Sequence, residues 1–448
     1  MDLLMDLMIE EILFYGLTGL LCVGIVVFYL VREKRKSRIV QQKVAIAKEE
    51  GRFEPVSLHP FIDLSVCIGS GACVSACPEK DILGIVDGKA TVINASNCVG
   101  HGACFHACPV EAISLRIGTE KRGVDLPHVK PNYETNVKGI YIAGELGGMG
   151  LIKNSAEQGK QAVDNLMKNK KPSREGVLDV AIIGAGPAGI AAALNAKKHK
   201  LQFEVIEQDS LGGTVFTFPR QKVVMTQPMD LPLYGKIKLF DTSKVELLEI
   251  WQKVLGENNI SIQENSKVEQ ISQQESGDFK VEIAGGETYT AQNVIIAIGR
   301  RGSPRKLNVP GEESTKVAYR LLEPERISGK KILVVGGGDS AVESAMLLTD
   351  NNEVTLSYRK DKFARIKPKN KESIDKAIEN KDLEVVYNSN VLEIKEKNVL
   401  LGFNESEEKL ELENDLVYIF AGGELPIQFL KNAGITVEKK FGKIVKKY

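Results

Sequence analysis

No cysteine follows Cys108, so the last 340 residues of this 448-residue chain (448 − 108) work without a thiol. Nowhere do two cysteines stand in C-x-x-C spacing, and that composition excludes a vicinal dithiol relay. The formal net charge is zero, with 59 basic and 59 acidic residues, which leaves no electrostatic footprint for nucleic acid. Residues 12–31 carry no charge at all. Twenty such residues are about the length that crosses a bilayer's hydrocarbon core. Neither a basic n-region nor a small-residue cleavage site accompanies this run, so a membrane helix is expected rather than a cleaved leader. Asp2, Asp6, Glu10 and Glu11 precede it; Arg32, Lys34, Arg35, Lys36 and Arg38 follow. Basic flanks stay cytoplasmic. The expected topology is therefore a single pass of a bacterial inner membrane, N-terminus outside, with the bulk of the chain in the cytoplasm.

Six of the seven cysteines fall between residues 67 and 108; the seventh, Cys22, lies in the apolar run. The six form two copies of C-x5-C-x3-C-P, CIGSGACVSACP and CVGHGACFHACP, offset by 31 residues. Clustered runs of this kind argue for metal ligation in a reducing compartment, not for disulfides. Gly69, Gly71, Gly100 and Gly102 let the backbone wrap closely. Between the copies, ILGIVDGKATVI alternates apolar residues around Asp87-Gly88, a strong hairpin signal.

These runs resemble a bacterial two-cluster ferredoxin, whose usual pattern is C-x2-C-x2-C-x3-C-P. Here Ser70 and His101 stand where the second cysteine of each run is expected. The resemblance assigns Cys67, Cys73 and Cys108 to one cluster, and Cys98, Cys104 and Cys77 to the other. Three readings of the missing corners stay open. Each cluster is [3Fe–4S]; or each is [4Fe–4S] with Ser70 or His101 on the fourth iron; or the clusters are lost and the domain is a docking module.

Two Gly-rich units follow. LDVAIIGAGPAGIAAAL places an apolar strand ahead of Gly184, Gly186, Pro187, Ala188 and Gly189, then an Ala-rich helix. Glycines there permit a tight turn and close approach of a pyrophosphate to a helix N-terminus. A second strand ends at Glu207, about 20 residues on, where a ribose partner is expected. KILVVGGGDSAVE repeats the arrangement with Gly336, Gly338, Asp339, Ser340 and Ala341. Its next strand ends in Tyr358-Arg359-Lys360, with Arg365 close behind. Basic residues at that position suit a 2′-phosphate, hence NADPH, with NADH the alternative.

GAGPAGIAAA, LGGT at 211–214 (Gly212, Gly213, Thr214), AIGRRGSPRKLNVPGEE with Gly299, and GGGDSAVESA resemble the thioredoxin-reductase-like flavoproteins, closest to the bacillithiol-disulfide-reductase-like branch. The resemblance implies an α/β architecture: two nested, doubly wound Rossmann-like domains of the two-dinucleotide-binding type. It also implies FAD, and a homodimer. The family's closing flavin segment should come last. Here GIYIAGELGGMGLIKNSAEQGKQAVDNL, residues 139–166, precedes the first Gly-rich unit, and the chain ends on text that the family places just upstream of that segment. The chain therefore reads as circularly permuted. Within the moved segment, Gly144 and Glu145 are expected near the ribityl–phosphate, Lys153 and Asn154 near the isoalloxazine.

The expected organisation is an N-terminal segment 1–38 with its membrane helix at 12–31, a linker 39–57, an α+β ferredoxin-like iron–sulfur domain 58–118, the permuted closing segment 119–172, the FAD-binding domain 173–311, the NAD(P)-binding domain 312–415, and a return into the FAD domain over 416–448. No catalytic acid or base is demanded. The expected activity is a membrane-anchored oxidoreductase moving electrons between NADPH, FAD and two iron–sulfur clusters, and on to an unidentified redox protein or small acceptor. A flavin-dependent disulfide reductase with a vestigial ferredoxin domain, and a redox sensor without turnover, are the alternatives.

Overall fold

The computed structural model describes every residue except 1, 56–57, 80, 121–122, 149, 220–222, 226–227, 240, 301–302, 365, 405 and 447–448. It divides into two compact units, residues 1–119 with 443–448, and residues 120–442.

The first unit begins with α1 (Asp2–Glu49), one continuous helix. Its N-terminal part is long and apolar enough to cross a membrane. The stretch 39–57, expected as a linker, needs correction: the helix runs through it to Glu49. Tertiary contacts hold it there. Strands β1 (Leu58–Ile62), β2 (Leu83–Val86), β3 (Lys89–Val92) and β4 (Ile113–Ile117) and the short helices α2 (Ala72–Ala76) and α3 (Ala103–His106) make the rest of the unit. β2 and β3 form the expected hairpin, with Val86 opposite Lys89. Asp87 and Gly88 both take positive φ (49° and 74°), the backbone a two-residue primed turn requires. Ser37 donates to Asp87 Oδ1 and accepts from its N–H, both at 3.0 Å, and Gln41 donates to Oδ2 at 3.1 Å. Lys43 pairs with Asp81 at 2.6 Å. A Cβ on Gly84 would fall 2.6 Å from Val40 Cγ1, so glycine lets helix and hairpin meet.

β4 is the centre of an antiparallel sheet with β1 on one side and the strand Lys443–Lys446 on the other. The chain's final segment thus completes the ferredoxin-like sheet. That corrects the expectation that 416–448 returns wholly to the flavin domain. The strand Leu416–Ile419 differs too, pairing in parallel with Lys331–Val335 in the second nucleotide sheet.

In the second unit, β5 (Val124–Pro127) pairs antiparallel with Val437–Lys440. β6 (Ile140–Ile142) joins a parallel sheet of order β6, Val294–Ile296, β7 (Val180–Ile183), β8 (Phe203–Ile206). The permuted segment thereby supplies an edge strand to the sheet carrying the first Gly-rich loop. Its helix α4 (Ile152–Met167) packs on α5 (Pro187–Lys198). Fully buried Leu166, Ile182, Ile190, Leu194 and Trp251 share one core there. The second nucleotide sheet is parallel, of order Val317–Ala318, Leu416–Ile419, Lys331–Val335, Glu353–Tyr358, Glu384–Tyr387. Three-stranded antiparallel sheets accompany each.

Candidate redox centre and nucleotide sites

The six cysteines of the repeat are free thiols. Cys73 is raised by burial first, then by Cys67 and Cys108. Burial pushes Cys98 up to about 11, with Cys77 and Glu79 adding to it. Burial likewise pushes Cys104 to about 12, followed by Cys98 and Cys77. Charges raise one another's pKa only at close range. Cys73 adds to the rise of Cys104 as well, so the thiols of the two runs lie close together. Cys67, Cys73 and Cys108 line one cavity together with Ser70. Among the described residues no three His, Cys, Asp or Glu groups converge tightly enough for a single ion.

Local geometry explains these placements. Gly71 and Gly102 each cap a short helix in the left-handed region and turn the chain so that Cys73 and Cys104 point inward. A Cβ on Gly69 would fall 1.9 Å from the Gly88 carbonyl oxygen, so the first cysteine loop lies directly on the hairpin tip. Backbone N–H groups donate to sulfur: Ala90 to Cys67 at 3.4 Å and Ala112 to Cys108 at 3.3 Å. Ser70 is exposed. His101 is half-buried, its Nε2 3.9 Å from Glu79 Oε1. Burial lowers the His101 pKa, and Glu79 opposes that. Glu79 had no sequence signal beyond its place after Cys77-Pro78.

The first Gly-rich loop is tight where it packs and open where it does not. Gly184 has φ +103°, and a Cβ on Gly189 would fall 1.8 Å from the Gly184 carbonyl oxygen. Gly186 has neither constraint: its φ is −76° and a Cβ there meets nothing within 4 Å. Gly338 in the second loop is the same, with φ −101° and open space. Glycine at these two places satisfies neither packing nor conformation, and room for a close backbone ligand is what it leaves. Pro187 and Ala188 open α5; Asp339, Ser340 and Ala341 open the helix Asp339–Leu348.

Glu207 ends β8 and is buried. Its carboxylate accepts Ala185 N–H at 2.7 Å and Asp209 N–H at 2.9 Å. Burial raises its pKa, and those two donors oppose the rise. The 211–214 turn lies against the loop: Gly212 N–H donates to Ala185 O at 2.9 Å, and a Cβ on Gly213 would be 3.5 Å from Gly186 Cα. Thr214 is exposed beside it. Gly299, with φ +69°, follows the neighbouring strand. The permuted segment reaches the same place. A Cβ on Gly144 would fall 3.1 Å from Ala188 Cβ. Gly144 N–H is held by buried Gln158 Oε1 at 2.9 Å, a polar residue on the inner face of α4 that sequence reading passed over. Glu145 opens a short turn, and Lys153 and Asn154 sit in the first turn of α4, Lys153 exposed. Arg359 and Lys360 are exposed at the end of Glu353–Tyr358; Arg365 lies outside the described residues.

Residues 181–446 match the family model for pyridine nucleotide-disulphide oxidoreductases, well over half the chain. The chain belongs to that family. Residues 59–109 match a 4Fe-4S dicluster domain. The match to the oxidoreductase model starts at β7, so β6 and α4 stand ahead of it, as a permutation requires. The chain is 32% identical over 275 residues to ferredoxin–NADP reductase of Thermus thermophilus, 58% of this chain and 78% of the relative. It is 26% identical over 267 residues to bacilliredoxin reductase of Bacillus subtilis, 58% and 82%. The solved bacillithiol disulfide reductase of Bacillus cereus has the same fold, with TM-score 0.51, 24% identity, and coverage of 60% of this chain and 85% of that one. This family member is an FAD-dependent NAD(P)H oxidoreductase carrying an iron–sulfur domain.

Proposed function

We propose that this enzyme is membrane-anchored through α1 and passes reducing equivalents from NADPH to its own iron–sulfur domain, and from there to an acceptor outside the chain. The observation that carries this reading is the cavity lined jointly by Cys67 and Cys73 of one cysteine run and Cys108 of the other, in a chain with no C-x-x-C. FAD and iron–sulfur clusters, when bound, exchange a hydride with nicotinamide and single electrons with one-electron carriers.

The chain's own residues bind and tune. Gly184, Gly186 and Gly189 bring the N-terminus of α5 to a pyrophosphate, and Glu207, fixed by two N–H groups, addresses a ribose. Gly336, Gly338 and the exposed Arg359 and Lys360 do the same for NADPH. Cys67, Cys73 and Cys108 hold one centre and Cys77, Cys98 and Cys104 the other. Ser70 and His101 stand in the loops where a fourth cysteine is missing. The N–H donors of Ala90 and Ala112 draw charge from sulfur and favour the reduced state.

Iron and sulfide analysis with EPR on anaerobically purified protein, before and after NADPH, tests this. Clusters that change state with NADPH are expected, and the spectra separate three-iron from four-iron centres. Protein that stays iron-free after reconstitution yet still oxidises NADPH would overturn the proposal.

A further inference from the structure

The loop that carries the first cysteine has an apolar rim that nothing described so far uses. Leu64 is 57% exposed, Val66 44% and Ile68 63%, on either side of buried Cys67. Ile68 also lines the cavity of Cys67, Cys73 and Cys108. Three large apolar side chains within five residues, next to a thiol site, are not scattered surface residues.

Their place along α1 follows from the contacts that fasten the hairpin to it. The uncharged run ends at Val31, and the hairpin tip is fastened to Ser37. Six helical residues rise about 9 Å. The interfacial layer on each side of the hydrocarbon core is itself roughly 5–8 Å thick. The hairpin's direction follows from the next contact. Lys43, a further turn and a half from the membrane, holds Asp81 at the hairpin's base. The tip at Asp87-Gly88 is therefore the membrane-near end. The first cysteine loop touches that tip, through the close approach of Gly69 to Gly88 and through Lys89 Nζ, which donates to the Cys67 carbonyl oxygen at 2.5 Å. The exposed Arg32, Lys34, Arg35 and Arg38 lie at the same level and favour an anionic leaflet.

We infer that the loop 64–68 is a second membrane contact: Leu64, Val66 and Ile68 enter the lipid interface of the leaflet from which α1 emerges, and they set the Cys67/Cys73/Cys108 site at the bilayer surface. The occupant of the rim is lipid. The inference rests on α1 spanning the membrane, and the experiment tests that separately.

The full chain is reconstituted into phosphatidylcholine–phosphatidylglycerol vesicles, with or without lipids brominated near the top of the acyl chain. Three single variants are compared against the parent, whose one tryptophan, Trp251, is buried and gives a constant background. Val26→Trp reports the span, Ile68→Trp the loop, and Leu347→Trp an exposed apolar position on a helix of the nucleotide-binding unit. Added emission from Ile68→Trp is expected to be blue-shifted and at least halved by brominated lipid, as for Val26→Trp, while that of Leu347→Trp is unchanged. Quenching of Val26→Trp without quenching of Ile68→Trp would overturn the inference and leave the anchor standing; a soluble partner for the rim gives this result. No quenching of Val26→Trp would overturn the anchor, and the inference with it. Iron content equal to the parent's checks that each variant is folded.

Discussion

Glycines in the two nucleotide loops do different jobs, and substitution separates them. Gly189 has a backbone oxygen where its Cβ would go, so Gly189→Ala should destabilise by about 1–3 kcal/mol or more. Gly186 and Gly338 have open space and ordinary φ. Gly186→Ala should leave the melting temperature within about 2 °C of the parent, because exposed changes without clash cost little. Its FAD affinity should fall tenfold or more, measured by fluorescence of released flavin. Gly338→Ala should raise the KM for NADPH and spare FAD. If both variants keep parental affinities, the loops hold their ligands elsewhere. The glycine spacing made these sites legible in the sequence because a tight turn is a local demand. Gln158 was not legible: a glutamine on a helix gains its meaning only when β6 brings Gly144 N–H to it.

Among the elements, α4 carries most of the consequence of the permutation. Gly159 lets it lie on α5: a Cβ there would fall 2.0 Å from the Ala188 carbonyl oxygen. Gly159→Val should push the two helices apart at a cost of about 1–3 kcal/mol. The displaced helix also bears Lys153 and Asn154, and its Gln158 holds the N–H of Gly144. Flavin occupancy should therefore fall more than iron content does, as judged by absorbance and iron analysis on one preparation. Equal losses would mean that α4 serves general stability only. The order of elements was readable from motif text, since 139–166 is self-contained. The end of α1 was not. Residues 39–49 carry only a short apolar stripe, Val40, Val44 and Ala47, which is covered while the rest of the turn is exposed, with Gln41 on Asp87 and Lys43 on Asp81 beside it. Three small or β-branched residues among so many polar ones look like a tether until the hairpin that covers them is in view. By contrast, the Ser243-x-x-Glu246 spacing is a local capping-box pattern: Ser243 Oγ accepts Glu246 N–H at 3.1 Å, a bond made within four residues.

For the whole molecule, the two units are joined by two covalent crossings, near residue 120 and at Gly442–Lys443. The second crossing delivers the strand Lys443–Lys446 to the edge of β4. Ile444→Pro removes a ladder donor and should unzip that strand. In calorimetry the iron–sulfur unit's transition should move down by several degrees, while the flavin unit's transition and FAD content stay put. A shift of both transitions together would mean that the units unfold as one. Strand pairing over so long a separation leaves no trace in local sequence, and so the motif text alone points this strand to the flavin domain.

That same pairing sets a clock on biosynthesis. β4 leaves the ribosome early, but its partner follows about 330 residues later, which at bacterial-type rates is a wait of roughly 15–65 s. Throughout that interval the ferredoxin-like sheet has a bare edge along β4 while its thiols are already made. Metal insertion during that interval would meet a sheet that lacks one edge strand, and insertion afterwards a sheet with both sides of β4 paired.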